Sequence, residues 1–256
     1  MELSAYSKNN NTDNRNVWST SGDEVNVILS SGITYDATSG WYNHSLRLSG
    51  TTQYAYLDYN VFAEDSNMTI HDNGRTIEFE FESEKVNEES DIIMLIGTEN
   101  KARIEVTPNS ATLYDNSNNM VIKTNFKSNE RVKLAFILNP ESITSDNNLV
   151  YIVTNGILER ASTGGQSFVL SDGSIKIGGS NSGIKFYNMR VYNYAISYTT
   201  AYNNYVYDSD KKSLILANNN IMKNGIIDYE SCCSKLDTIL IEGNLDALLS
   251  GATDKD

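Results

Sequence analysis

The strongest structural signal in this chain is a strictly alternating stretch, Thr76–Glu82 (TIEFEFE). Successive side chains of a β-strand point to opposite faces of a sheet. Ile77, Phe79 and Phe81 would therefore share one face of such a strand, and the glutamates would share the other. The pattern predicts a β-strand with one face in a hydrophobic core and the other face in water.

Short β-type segments follow one another from Val17 onward, and turn residues separate almost all of them. Their spacing of roughly 8 to 12 residues is typical of a β-sandwich or a barrel. We therefore predict an all-β fold, an antiparallel β-sandwich with a short C-terminal helical segment. The predicted strands are Val25–Leu29, Ser45–Leu48, Tyr54–Tyr59, Arg75–Glu84, Ile92–Ile96, Arg103–Val106, Val121–Phe126, Arg131–Leu138, Leu149–Thr154, Ser174–Ile177 and Ile184–Tyr192.

One pair of strands is joined by a recognisable turn. The segment Tyr151–Leu158 carries Asn155 and Gly156 between two β-type runs. Both central residues of a type I′ turn need a positive φ angle, which asparagine and glycine adopt readily. This segment is predicted to form a two-residue β-hairpin.

The charge of the chain limits its partners. Its 33 acidic and 20 basic residues give a formal net charge of −13, and no cluster of Lys and Arg interrupts that negative field. Such a field repels phosphate backbones and anionic lipid surfaces. No stretch approaches the roughly 18 apolar residues of a membrane span. Nucleic acid and membranes are therefore not expected as partners.

Three parts are expected along the chain. Residues 1–16 are Asn-rich and lack the apolar run of a signal peptide, which indicates a flexible lead-in or an irregular edge strand. Residues 17–207 are predicted to hold the sandwich. Residues 208–256 are predicted to form a linker and a helical segment that leads to a following domain.

Two helices are expected near the C-terminal end. Ser197 is suited to cap a first short helix that ends before a charged break at Asp208–Lys212. Asp228 is suited to cap a second helix, whose apolar stripe includes Cys232 and Cys233. Adjacent cysteines do not favour a mutual disulfide or a zinc site, so burial explains them better.

Three segments together resemble the concanavalin A-like lectin/glucanase superfamily, in its laminin-G-like branch. They are Gly40–Gly50 with the strand Tyr54–Asp58, the hairpin at Asn155-Gly156, and Ile177–Gly179 followed by Phe186–Ser197. The last segment is the most specific, because it combines an Ile-Gly-Gly turn, a strand with Arg-Val-Tyr-Asn and an Ile-Ser helix start. The resemblance covers residues 17–207 and implies a jelly roll of two curved antiparallel sheets. It does not by itself imply a function.

Modules of this branch occur in sugar-binding proteins, secreted adhesins, glycan-degrading enzymes and phage tail or virion proteins. Leu3–Tyr6 and the C-terminal tail also resemble stretches that flank such modules in long phage structural proteins, especially those of gut phages. This second resemblance implies a location at a virion or extracellular surface.

The row of glutamates is the one enzyme-like feature of the sequence. Glu78, Glu80, Glu82 and Glu84 share one strand face, at intervals of roughly 7 Å. A glycosidase needs two carboxylates that flank the glycosidic bond. Glucanases of the resembled superfamily use Glu-x-Asp-x-(x)-Glu, and here Glu80 replaces the central Asp. We therefore predict that the row is a solvated strand face, that no residue is catalytic and that the chain is not an enzyme.

Exposed aromatic rings bind sugars by stacking on the apolar face of the pyranose, while Asn and Asp orient its hydroxyls. The predicted ligand-binding residues are Trp41, Tyr42, Tyr54, Tyr56, Asp72 and Asn73. Tyrosine is also a common strand and core residue, so packing stays open as the alternative explanation for each ring.

No cofactor is predicted, and calcium is left open. Loops of the resembled superfamily often hold calcium through Asp side chains and backbone oxygens. Candidate ligands in this chain are Asp65, Asn67, Asp72, Asn73 and Asp172. Their spacing is not that of a dedicated calcium loop, and Asn/Asp-rich turns are ordinary hairpin chemistry.

These observations favour a non-catalytic module that recognises a glycan or a protein surface within a larger phage tail, virion or secreted protein. One alternative is a purely structural role, in which the sandwich decorates an assembly and contacts other domains of the same polypeptide or assembly. A glycoside hydrolase that uses Glu78, Glu80 or Glu82 is a third hypothesis.

Overall fold

The computed structural model describes residues 1–6, 8–11, 13–21, 25–59, 74–84, 86–139, 149–162 and 173–222. By its contacts the chain divides into two compact units, Met1–Tyr202 and Asn203–Asp256. The strands described below belong to the first unit. The predicted second helix, with Cys232 and Cys233, lies outside the described residues.

The described residues form β-strands followed by one helix. In chain order the strands are β1 (Glu2–Ser4), β2 (Trp18–Ser19), β3 (Asn26–Leu29), β4 (Gly40–Tyr42), β5 (Ser45–Leu48), β6 (Tyr54–Leu57), β7 (Arg75–Glu84), β8 (Met94–Gly97), β9 (Arg103–Val106), β10 (Ser110–Tyr114), β11 (Met120–Asn125), β12 (Arg131–Asn139), β13 (Leu149–Thr154), β14 (Ile157–Ser162), β15 (Ser174–Gly178) and β16 (Gly183–Tyr192). The helix, α1, spans Tyr198–Met222. The predicted fold class, an antiparallel β-sandwich with a C-terminal helical segment, is confirmed.

In the described part of the chain, the strands form two antiparallel sheets of eight strands each. Sheet 1 runs β14-β13-β12-β7-β16-β5-β4, and β1 also pairs with β16. Sheet 2 runs β11-β10-β9-β8-β15-β6-β3-β2. Many neighbouring strands, such as β7 and β16, are far apart in sequence. The order within each sheet therefore depends on long-range pairing.

The hydrophobic core lies between the two sheets. Ile77, Phe79 and Phe81 of β7 point into it, as the alternation predicts, and all three are fully buried. The ring of Phe79 lies 5.9 Å from that of Phe81 and 6.0 Å from that of Phe136. Phe81 also packs edge-on against Phe126 at 5.4 Å. Because Phe126 directly follows β11 of sheet 2, these rings join the two sheets.

Two tryptophans connect the sheets at one edge of the sandwich. There, β4 is the edge strand of sheet 1 and β2 is the edge strand of sheet 2. Trp18 of β2 packs edge-on against Trp41 of β4 at 5.2 Å and against Phe186 at 5.9 Å. Both tryptophans are buried. Each indole N–H donates to a backbone carbonyl, Trp18 to Ser4 at 3.0 Å and Trp41 to Arg15 at 2.6 Å. The two side chains therefore belong to the core.

The N-terminal residues form part of sheet 1. Glu2–Ser4 pairs with β16, with Leu3 opposite Met189. Leu3 and Ala5 are fully buried. The pairing of Glu2–Ser4 with β16 adds these three residues to the sandwich.

The helix α1 is longer than the sequence pattern indicates. Ser197 caps it, because its Oγ accepts a hydrogen bond from the Thr200 N–H at 3.1 Å and its carbonyl accepts one from the Ala201 N–H at 3.0 Å. The helix passes through Asp208–Lys212 without the expected break. Charged residues are compatible with a helix interior, and Tyr198–Met222 contains no Gly or Pro. Among the described residues, no helix is long and apolar enough to cross a membrane.

The start of α1 packs against the side of sheet 1 that points away from the core. Ala135, Ile137 and Val153 of that side form a small apolar cluster with Ile196 and Ala201. One end of this outer side of sheet 1 is therefore covered by the chain itself.

The Ile-Gly-Gly turn after β15 depends on glycine. Gly178 has a φ angle of +78°, a conformation that side chains with a Cβ rarely adopt. An added Cβ would also lie 2.6 Å from the carbonyl oxygen of Gln53 and 2.7 Å from a methyl group of Leu48. Both the backbone angle and the local space exclude a larger residue.

We expect Gly178→Ala to lower the free energy of unfolding by about 2 kcal/mol or more, because the left-handed backbone and the overlap both oppose the methyl group. Urea denaturation followed by circular dichroism measures this loss. Gly50→Ala is a matched control, since its added Cβ would meet only the side chain of Gln53, at 3.8 Å. A loss for Gly178→Ala as small as that of the control would show that the turn tolerates a side chain.

Candidate functional site

The side of sheet 1 that points away from the core carries an array of polar residues, which we call the polar face. The pairing of the strands places these residues next to one another in rows. The rows are Arg131, Glu82, Lys185 and Arg47; then Lys133, Glu80, Asn188 and Ser4; then Ala135, Glu78, Arg190 and Glu2. The polar face therefore combines residues of five strands, β1, β5, β7, β12 and β16.

The glutamates of β7 do not form a solvated row. Glu78 is fully buried and Glu80 is only 5% exposed. The side chains of Glu82 and Glu84 are 23% and 19% exposed. The prediction of a water-facing row is therefore wrong for Glu78 and Glu80. The physical reason is that cationic and tyrosine side chains from neighbouring strands and from the N-terminal segment cover this side of β7.

Glu80 forms a buried ion pair with Arg131 and also contacts Asn188 and Tyr6. Its Oε1 accepts a hydrogen bond from Arg131 Nε at 2.5 Å, and its Oε2 accepts bonds from Asn188 Nδ2 at 2.8 Å and the Tyr6 hydroxyl at 3.2 Å. Arg131 also donates to the Tyr6 hydroxyl and lies 3.7 Å from the centre of the Tyr187 ring. Burial acts to lower the pKa of Arg131, but the bond and charge of Glu80 outweigh it, so the pKa is raised. Arg131 therefore stays charged and compensates Glu80.

A second, less buried set of ion pairs lies beside this cluster. We call it the ion-pair row, and it consists of Arg47, Glu84, Lys185 and Glu82. Arg47 Nε donates to Glu84 Oε2 at 2.5 Å, and Lys185 Nζ lies 3.1 Å from Glu84 Oε1 and 2.8 Å from Glu82 Oε1. Burial acts to lower the pKa of Lys185, but Glu82 and Glu84 outweigh it, so the pKa is raised. The row is a chain of alternating charges across three strands.

Tyr187 connects the buried ion pair with the ion-pair row. Burial, and then the charge of Glu82, raise the pKa of Tyr187 above its ordinary value. Its hydroxyl therefore stays protonated and donates to Glu82 Oε2 at 3.2 Å. Because Arg131 lies over the same ring, Tyr187 contacts members of both groups.

The hairpin between β4 and β5 borders the exposed end of the polar face. Its central residues, Asn43 and His44, have φ angles of 48° and 63°, as a type I′ turn requires. His44 Nδ1 lies 2.8 Å from the carbonyl oxygen of Tyr6. Tyr42, just before the turn, is 42% exposed, and the guanidinium of Arg47 lies 5.6 Å from the centre of its ring. Tyr42 therefore presents an aromatic ring beside the ion-pair row.

The two central carboxylates of the polar face are not accessible to a glycan substrate. Glu78 is fully buried and Glu80 is only 5% exposed. Both oxygens of Glu80 are already engaged by Arg131, Asn188 and Tyr6. This arrangement holds charged groups in place, and it leaves the buried carboxylates without access to a glycosidic oxygen.

The four predicted aromatic ligand residues are not brought together. Trp41 is 4% exposed and packs on Trp18, so its ring is not available to stack on a ligand. Tyr42 lies on sheet 1. Tyr54 and Tyr56 alternate with buried residues on β6 of sheet 2 and point away from the core there. Because the outer sides of the two sheets face opposite directions, Tyr42 and Tyr54 do not belong to one small-ligand site.

The loop residues of the predicted ligand site belong to the same set as the candidate calcium ligands. Asp65, Asn67, Asp72, Asn73 and Asp172 all lie outside the described residues. Within the ranges that the structure describes, no group of three or more His, Cys, Asp or Glu is placed to hold a metal ion. Bound calcium stays a prediction.

Several residues of the polar face were missed by the sequence analysis. They are Tyr6, Arg47, Arg131, Lys185 and Asn188. Each approaches its glutamate from a distant part of the chain; the separation is 37 positions for Arg47 and Glu84, and 103 for Lys185 and Glu82. The signal that could have found most of them is cross-strand pairing, because bases of β12 and β16 stand opposite the acids of β7 once the strands are aligned, and Arg47 of β5 stands opposite Lys185 of β16.

Comparison with known proteins finds similarity at the level of the fold. No protein-family model matches the chain, and no curated protein matches it in sequence. The receptor-binding domain of botulinum neurotoxin D has a TM-score of 0.60 and 14% identity, over 81% of this chain and 52% of that one. The binding domain of Paraclostridial Mosquitocidal Protein 1 has a TM-score of 0.54 and 12% identity, over 72% and 48%.

A third similar structure is the botulinum neurotoxin serotype D ligand-binding domain in complex with N-acetylneuraminic acid. It has a TM-score of 0.57 and 13% identity, over 80% of this chain and 50% of that one. The chain spans about half the length of these structures. Identities this low show the fold alone. The chain therefore shares the β-sandwich architecture found in these binding domains.

Proposed function

We propose that the sandwich is a non-catalytic binding module that recognises a glycan through the polar face of sheet 1. The observation that carries the proposal is the exposed ring of Tyr42 beside the ion-pair row. Sugar sites combine an aromatic ring, which packs on the apolar face of the pyranose, with a few polar groups that orient its hydroxyls. Tyr42 and Arg47 supply the ring and the first polar group within 5.6 Å of each other.

The similar solved structures support this proposal. They are binding domains by name, and one of them is a complex with N-acetylneuraminic acid. The arrangement of the glutamates is a second support. Glu80 is buried and already accepts hydrogen bonds from Arg131 and Asn188, so it is poorly placed to exchange a proton with a substrate, which a catalytic carboxylate must do. The proposal extends the binding role of these domains to this chain.

We further propose that the module belongs to the laminin-G-like branch and acts at the surface of a virion, a phage tail or a secreted protein. The support is the resemblance carried by Gly40–Gly50, the Asn155-Gly156 hairpin and Phe186–Ser197. Mass spectrometry of purified virions and of cell-free culture medium tests the location. Detection of the chain in either fraction supports the proposal, and detection only in washed cells contradicts it.

We expect Tyr42→Ala to weaken glycan binding about tenfold or more, because the stacking ring is lost while the fold keeps its buried residues. The full wild-type chain is first screened on a glycan array. The glycan that binds most strongly is then titrated by calorimetry into the wild type and into Tyr42→Ala. Tyr54→Ala is the matched control, since it removes a tyrosine from the outer side of sheet 2. Its affinity should equal that of the wild type.

Three results would contradict the proposal in different ways. Loss of binding in Tyr54→Ala but not in Tyr42→Ala would place the ligand on sheet 2. A chain that binds no glycan on the array would favour a structural role in an assembly. Release of reducing sugar from a glycan, abolished by Glu80→Gln, would show that the chain is an enzyme.

A further inference from the structure

We infer that the ligand of the polar face is a neutral, hydroxyl-rich glycan, and that sialylated, uronate-bearing or sulfated glycans bind less well. This inference rests on the proposed glycan-binding function and adds the chemical class of the sugar. It follows from the way in which Arg47, next to Tyr42, and Lys185 are paired with carboxylates.

The cations of the ion-pair row already have carboxylate partners. Arg47 Nε lies 2.5 Å from Glu84, and Lys185 Nζ lies 2.8 Å from Glu82 and 3.1 Å from Glu84. An anionic sugar would need one of these cations as its own partner, and it would approach Glu82 and Glu84 at close range. The formal net charge of the whole chain, −13, adds a long-range repulsion of the same sign.

The same residues retain hydrogen-bonding capacity that suits a hydroxyl group. The guanidinium of Arg47 donates through Nε to Glu84 and through Nη1 to the carbonyl of Ala37, which leaves further N–H groups among its five. Each oxygen of Glu82 and Glu84 takes part in one of the contacts described above and has a second lone pair. Within the described residues, the row thus offers donors and acceptors side by side.

A sugar hydroxyl can use such a surface fully because it both donates and accepts. It can accept from Arg47 while it donates to Glu84, without displacing the ion pair between them. A carboxylate or sulfate group only accepts, so the acidic half of the row would stay unused and would repel it. The expected ligand therefore differs in charge from N-acetylneuraminic acid, the sugar bound by the serotype D neurotoxin domain.

The test uses the full chain on an array of matched glycans that share a neutral core, such as lactose beside sialyllactose and sulfated lactose. We expect each neutral glycan that binds to do so about tenfold or more tightly than its charged derivatives. Affinity for the neutral glycan should also change little from low to high ionic strength, because no charged ligand group is screened. This second measurement uses only the wild-type chain.

A variant tests the role of the paired carboxylates directly. Glu84→Gln removes the negative partner of Arg47, and we expect the preference for the neutral member of each pair to shrink severalfold. Glu105→Gln is the matched control, because Arg103 pairs with Glu105 at 2.6 Å and lies 4.0 Å from the Tyr114 ring on sheet 2. Its preference should equal that of the wild type. Circular dichroism shows whether both variants are folded.

The outcomes separate this inference from the proposed function. Preferential binding of the sialylated or sulfated member of the pairs would overturn the inference and leave the glycan-binding function standing. Absence of binding to every glycan on the array would overturn the proposed function, and the inference with it. An unchanged preference in folded Glu84→Gln would show that the ion-pair row does not select the ligand.

Discussion

The free energy of unfolding of an Arg131→Met variant is expected to be about 3–5 kcal/mol lower than that of the wild type. Arg131 is the cation that compensates Glu80, which is only 5% exposed and lies 2.5 Å from Arg131 Nε. Methionine keeps much of the volume of the arginine stem but leaves the carboxylate without a charge partner in the protein interior. Urea denaturation measures the loss, and the melting temperature should fall by roughly 10 °C for a domain of this size.

Two further variants separate the effect of charge from that of packing. Lys127→Ala breaks a pair with Glu130 whose side chains are 83% and 60% exposed, so stability should change by less than about 1 kcal/mol. Arg131→Met combined with Glu80→Gln removes the buried charge itself and should recover part of the loss. A loss below about 1 kcal/mol for Arg131→Met alone would show that Glu80 does not depend on this ion pair.

The second large effect is expected in the core, where Phe79→Ala should cost about 3–5 kcal/mol of unfolding free energy. Phe79 is fully buried, and its ring lies 5.9 Å from that of Phe81 and 6.0 Å from that of Phe136. Removal of the ring loses the free energy gained by burying its apolar surface and leaves a cavity between the sheets. Because the core is closely packed, the surrounding side chains fill this cavity only in part. Urea denaturation with an unchanged m-value identifies the loss as one of stability.

Ile157→Ala is the matched control for Phe79→Ala. Ile157 is a large apolar residue too, but it is 70% exposed at the hairpin turn between β13 and β14. Its truncation should change stability by no more than about 0.5 kcal/mol. If both variants lost the same small amount, the core would not lie between the sheets at Phe79.

The strands of this protein could be predicted from sequence where the pattern is long enough to be read locally. The bounds expected for Arg75–Glu84, Arg103–Val106 and Leu149–Thr154 are those of β7, β9 and β13. The Asn155-Gly156 turn also has the expected positive φ angles, 48° and 82°. Alternation and turn chemistry are properties of neighbouring residues, so they need no knowledge of the rest of the fold.

The shortest strands could not be predicted in the same way. Glu2–Ser4 and Trp18–Ser19 have three and two residues, which is too few to show a period of two. They are strands because β16 and β3 offer them unpaired backbone groups. Their hydrogen bonds therefore depend on the position of other strands.

The candidate site was predicted only in its outline. Tyr42 was expected at a ligand surface, and the structure leaves it exposed on sheet 1. Its sequence neighbour Trp41 points to the core, because adjacent strand residues face opposite sides. The separation of Tyr42 from Tyr54 follows from the assignment of β4 and β6 to different sheets, which no local pattern specifies.

By itself, the sequence determined that this chain forms β-strands, that the apolar side of β7 is buried and that tight turns with asparagine and glycine connect strands. Only the tertiary structure decided that Glu78 and Glu80, on the opposite side of β7, are buried as well, with Glu80 held by Arg131 and Asn188. The physical reason is that the pattern of one strand indicates only which of its side chains share a face. The residues that cover Glu80 come from other strands, since Arg131 is 51 positions and Asn188 is 108 positions away from it in sequence. Charge pairing across a sheet is a property of strand order, and strand order is a property of the whole fold.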